Sequence, residues 1–128
     1  LYSSALGARA AYTDNSLATA SPARLLVMLM DRLVLDIERG LAATEAADWE
    51  EARRNLLHAQ DIVLELEVGL DADAMTGGKQ LAALYAYLRG RLVDANVHRD
   101  ATAATEARGL AQHLAETWRQ AALQAAVQ

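Results

Sequence analysis

Residues 25–35 read LLVMLMDRLVL, and nine of these eleven positions are apolar. A helix with one buried face needs only three or four apolar residues per two turns, so this one carries a surplus that two neighbours or a partner must cover. Its start is marked by Ser21, whose hydroxyl can accept from an unpaired backbone N–H, and by Pro22, which has no N–H to leave unpaired in the first turn. The helical period then predicts α-helix over 22–44. Asp48 followed by Glu51 is a capping-box-like start for a second helix over 48–68, ended by Gly69. A polar loop with the Gly77-Gly78 pair leads into a third helix over 78–97, and Asp100 caps a fourth that runs to about Ala126. No segment alternates with the period of a strand. Connections this short favour antiparallel neighbours, so the fold class is all-α: an antiparallel up-down four-helix bundle. Residues 1–20 hold too few apolar groups for a core of their own and read as an N-terminal arm, with room for a short extra helix.

Projection at about 100° per residue separates the faces. On helix 2, Ala52, Leu56, Ala59, Ile62, Val63, Leu66 and Leu70 form the core face, whereas Leu57, Leu64 and Val68 lie roughly opposite among charged residues. Helix 3 places Leu81, Leu84, Tyr85, Leu88 and Leu92 inward and leaves Ala82, Ala86, Val93 and Val97 on another side. In helix 1, Met28 and Leu35 point away from Leu26, Leu33 and Ile37; helix 4 gathers Leu110, Leu114, Trp118, Ala121 and Ala125 on one face. Single exposed leucines are ordinary. Leftover stripes on three helices of four indicate an interaction surface, and its ligand is inferred to be a peptide.

Composition narrows the function. At 128 residues the chain is read as one domain, 1–128, with the arm at 1–20 and the bundle at 21–128. A net charge of -5 with scattered arginines argues against nucleic-acid binding, and no apolar run is long enough for membrane insertion. No cysteine is present and no N-terminal signal peptide is visible, in keeping with a cytoplasmic home. His58, His98 and His113 are dispersed, with only His113 and Glu116 able to share a helical face. Asp71 and Asp73 open a calcium-loop pattern that Thr76 and Ala82 break, and Gly77-Gly78-Lys79 follows no strand. No nucleophile stands beside a base. The expectation is therefore a non-enzyme with no cofactor and no metal.

Tyr12, then Leu17, then Thr19-Ala20-Ser21-Pro22 with Leu25, Leu26, Met28, Leu29 and Asp31 beyond, resembles the opening of the flagellin-specific flagellar export chaperones, the FliS family. The resemblance extends through Leu66, Leu70, Asp71, the glycine pair, Leu84-Tyr85, Leu88, Leu92, Ala95-Asn96, Asp100 and Trp118. It implies a cytosolic helical bundle that binds the disordered C-terminal segment of flagellin in surface grooves, prevents premature polymerisation and assists delivery to export gate components. It also implies that Tyr12 and Leu17 are anchoring positions of an arm able to occupy part of the groove. Two positions depart from the family pattern: Met30 and Arg32 stand where a tyrosine and a small residue are common. The partner-binding set expected from residues and resemblance together is Tyr12, Leu17, Met28, Leu35, Leu57, Leu64, Val68, Ala82, Ala86, Val93 and Val97, on a monomer or weak dimer. The alternative is a helical module that uses the same stripes to self-associate.

Overall fold

A computed structural model of the chain describes residues 21–127, which form four helices: α1 (Pro22–Glu45), α2 (Trp49–Gly69), α3 (Gly78–Val97) and α4 (Ala101–Val127). Each packs against its neighbours in sequence, and α4 closes the bundle against α1. This is the expected antiparallel bundle.

The ends follow from their caps. Ser21 accepts from the Arg24 N–H at 3.1 Å, and Asp48 accepts from the Glu51 N–H at 3.3 Å. The capping box at α2 is half made, because the Glu51 carboxylate turns to Arg54 and Asn55 while the Asp48 N–H donates to the Ala43 carbonyl. Asp100 receives two backbone donors, from Thr102 and Ala103, at 2.9 and 3.1 Å. Both three-residue connections close alike: the third N–H beyond the helix reaches back five residues, Asp48 to Ala43 and Asp100 to Ala95. That geometry puts Ala47 and Arg99 in the left-handed region, at φ 57° and 52°, where glycine is the usual occupant.

The core draws on all four helices. Met30, Leu33 and Ile37 of α1, Leu56, Ile62 and Val63 of α2, and Leu88 and Leu92 of α3 are fully buried. From α4 come Ala103, Ala104, Ala107 and Ala111, whose small side chains let the helix backbones approach. Gly40 does the same for α1 and α2, since a Cβ there would stand 2.7 Å from a Leu56 methyl. At the α2–α3 turn, Gly77 takes φ 77° and a Cβ on Gly78 would strike the Ala72 carbonyl. The surplus on α1 is met mainly by its two neighbours: Leu26, Leu29 and Val34 pack partly buried against the core. One expectation fails on α4. Ala121 and Ala125 are exposed, as is Leu123, because α4 with 27 residues outruns the 20 of α3, so among the described residues its last two turns have no third helix beside them.

A polar seam joins α1 to α2. Asp36 is fully buried, accepts from Arg32 Nε at 3.1 Å and is hydrogen-bonded to His58 Nδ1 across the two helices. Asp61 and Glu65 are also buried on α2. Burial pushes the Asp61 carboxyl above its ordinary value of 3.8, with positive charge including that of His58 opposing the shift in part.

Two outcomes are expected. Ala47→Gly should raise the unfolding free energy by about 0.5–1 kcal/mol in urea titrations, since relief of the left-handed strain exceeds glycine's entropy cost. For Asp61 the folded value lies above the unfolded one, so its contribution is intact below pH 3.8 and is lost as pH rises through the folded value. Asp61→Asn should therefore gain in stability relative to the parent on going from acid to neutral pH, measured by denaturation at both.

Candidate partner-binding surface

α2 packs between α1 and α3, so its outer side has two borders, or furrows, one along each neighbour. The α3 side is defined by Glu67 and Arg89, which pair across the helices, Arg89 Nη2 lying 3.2 Å from the second carboxylate oxygen. The carboxylate holds the Arg89 guanidinium above its ordinary value, chiefly through this hydrogen bond. On α3, Ala82, Ala86, Val93 and Val97 stand seven and three residues before Arg89 and four and eight after it, so helical spacing sets all four on the side that faces α2. On α2, Leu64 precedes Glu67 by three residues and lines the same furrow. Gln60, one further turn back, keeps its Nε2 buried with no acceptor among the described residues.

Exposure differs along this set. Val68 is 69% exposed, Val97 64%, Leu64 39% and Val93 37%, a run of aliphatic surface left wet after folding. Ala86 is exposed; Ala82 and Leu57 are half-buried. Leu57 and Val68 lie nearer the ridge of α2 than its α3 flank. Met28 and Leu35 belong to the other furrow: four before and three after Arg32, they share the α1 side that carries the Asp36–His58 seam, and both are half-buried. Tyr12 and Leu17 lie outside the described residues. By helical register from the Glu67–Arg89 pair, Leu64, Ala82, Ala86, Val93 and Val97 fall on the facing sides of α2 and α3, whereas Met28 and Leu35 fall on the α1 side of α2.

Two features were not anticipated. The Glu67–Arg89 bridge depends on cross-helix register, which no local spacing encodes. Asp36 had a faint signature, since it interrupts the row Leu29, Leu33, Gly40 on one helix face. The shared face read for His113 and Glu116 yields no bond between them; Glu116 instead accepts from Arg119 and Gln120. Among the described residues no group of three or more His, Asp or Glu side chains is placed to hold a metal, and no helix is long and apolar enough to cross a membrane. What the surface offers is apolar contact with a charged border.

Known proteins of similar sequence agree with the resemblance carried by the arm. The family model described as flagellar protein FliS matches residues 5–125. The flagellar secretion chaperone FliS of Bacillus subtilis (strain 168) is 33% identical over 111 residues, covering 87% of this chain and 83% of the relative. Its namesake in Salmonella typhimurium is 33% identical over 119 residues, 90% of this chain and 87% of the relative, and that of Escherichia coli (strain K12) is 28% identical over 112. A family match that runs through all four helices, on a bundle of the expected topology, establishes that this chain belongs to the FliS family of flagellar secretion chaperones.

Proposed function

We propose that this protein binds the disordered C-terminal segment of flagellin along the outer face of α2 and its α3 furrow, keeps it from polymerising early and hands it to export gate components, acting in the cytosol. The observation that carries this reading is the aliphatic run of Leu64, Val68, Val93 and Val97, which the bundle leaves exposed on two adjacent helices. Covering what remains of these side chains, at about 25 cal/mol per Å², returns on the order of a few kcal/mol. That scale offsets part of the roughly 2–5 kcal/mol needed to order a flexible tail. A tail that forms short helices would set its own apolar residues at helical spacing into the furrow, with Glu67 and Arg89 fixing register more than strength. Met28 and Leu35 offer a second, shallower hold across α2. Tyr12 and Leu17 are proposed as contacts of the arm that compete for the same surface.

Leu64→Glu and Val93→Glu, on opposite walls of the furrow, should each weaken binding of a flagellin C-terminal peptide about tenfold or more in titration calorimetry, with helicity unchanged. Leu57→Glu should cost fold stability as well, because that side chain is half-buried. In sedimentation the chain should be a monomer that becomes a one-to-one complex. A tight homodimer indifferent to the peptide would favour self-association instead.

A further inference from the structure

At the end of the bundle where α1 and α3 finish and α2 begins, a groove of about 360 Å³ opens among Trp49, Arg53, Leu56, Val97 and Arg99, with Glu50 at its edge. We infer that this groove is a second docking site, for a short acidic segment of another protein that carries an aliphatic side chain beside its carboxylates. It lies outside the run proposed for the flagellin tail, apart from Val97 at the border.

Charge complementarity selects this occupant. The chain holds 17 acidic against 12 basic side chains, yet the charges lining this groove are two arginines and one glutamate. Arg53 forms no ion pair among the described residues and is exposed, so its guanidinium is open to a carboxylate. Apolar surface stands beside it: Trp49 is 36% exposed. The walls are also held in place before any ligand arrives. The Arg99 guanidinium sits 4.4 Å from the Trp49 ring centre and ties the α3–α4 connection to the start of α2, and both connections are closed by five-residue backbone bonds. A rigid site loses less freedom on binding, so a small contact area suffices for measurable affinity. The volume falls in the range of ligand-sized clefts and accommodates one or two side chains.

The test uses the full ¹⁵N-labelled chain and two synthetic peptides, acetyl-Asp-Leu-Glu-Leu-Asp-amide and its counterpart with lysine at each acidic position. The acidic peptide should shift the Trp49 indole N–H resonance saturably and leave that of Trp118 in place, and added salt should weaken the effect. Arg53→Glu should reduce the affinity about tenfold while helicity and binding of the flagellin tail persist. Leu64→Glu should do the reverse, losing the tail and keeping the acidic peptide, so the two sites fail separately. Equal response to the lysine peptide, no effect of Arg53→Glu, or a Trp49 shift that follows protein concentration with dimer in sedimentation would each overturn the inference.

Discussion

In a closed ring of four helices each member touches two neighbours, and the arc between those contacts is all that folding alone can dry. Every other feature of this protein works around that limit. α1 spends its apolar surplus on both neighbours, with Met30, Leu33 and Ile37 fully buried and Leu26, Leu29 and Val34 filling the flanks. α4 meets the limit over its first three turns with Ala103, Ala104, Ala107 and Ala111, which let it approach closely, and leaves Leu123 exposed only near its end. α2 and α3 do neither. Their aliphatic residues extend past the arc, and Leu64, Val68, Val93 and Val97 remain in water as a consequence.

Such surface is costly in an isolated monomer and carries an association hazard. Its persistence on adjacent helices, bordered by the Glu67–Arg89 pair, makes sense if another chain completes it. Membership of the FliS family supplies the kind of partner. The physical reading and the family therefore converge from independent directions: one from area left wet, the other from collinear sequence.

Helix existence, order and boundaries were legible because they rest on local chemistry. Ser21-Pro22, Asp48, the Gly77-Gly78 pair and Asp100 each act within a few residues, and the observed ends fall within one residue of those expected. The wet stripe was legible too, since 100° spacing alone places Leu64 and Val93 off the core faces. Less accessible was whatever depends on register or length between helices. The Asp36–His58 seam joins residues 22 apart, and nothing local says that a histidine on α2 meets an acid on α1. Ala121 and Ala125 followed the apolar period faithfully and are nonetheless exposed, because period does not reveal where the neighbouring helix stops. For the same reason the eleven expected contact positions looked like one set along the chain, whereas α2 separates Met28 and Leu35 from the furrow that holds Val93.

The bridge between Glu67 and Arg89 bears on how a ligand enters that furrow. It spans the cleft near its middle, with Leu64 and Val93 on one side of it along the helices and Ala86 on the other. Arg89 and Glu67 both retain contact with water, the arginine side chain at 42% exposure, so the pair contributes no more than about 1 kcal/mol to the fold. On the proposed mode of binding, a tail laid across the furrow would displace the bridge at small cost, or keep it and pass over it as a step between two apolar patches. In the first case the tail must itself supply a carboxylate or a cation to the partner left behind, because desolvating either charge alone costs more than the bridge was worth. If a tail binds as proposed, the pair would act as a selector: weak as a fastening within the monomer, it would penalise any tail whose charges fall out of register with its apolar residues.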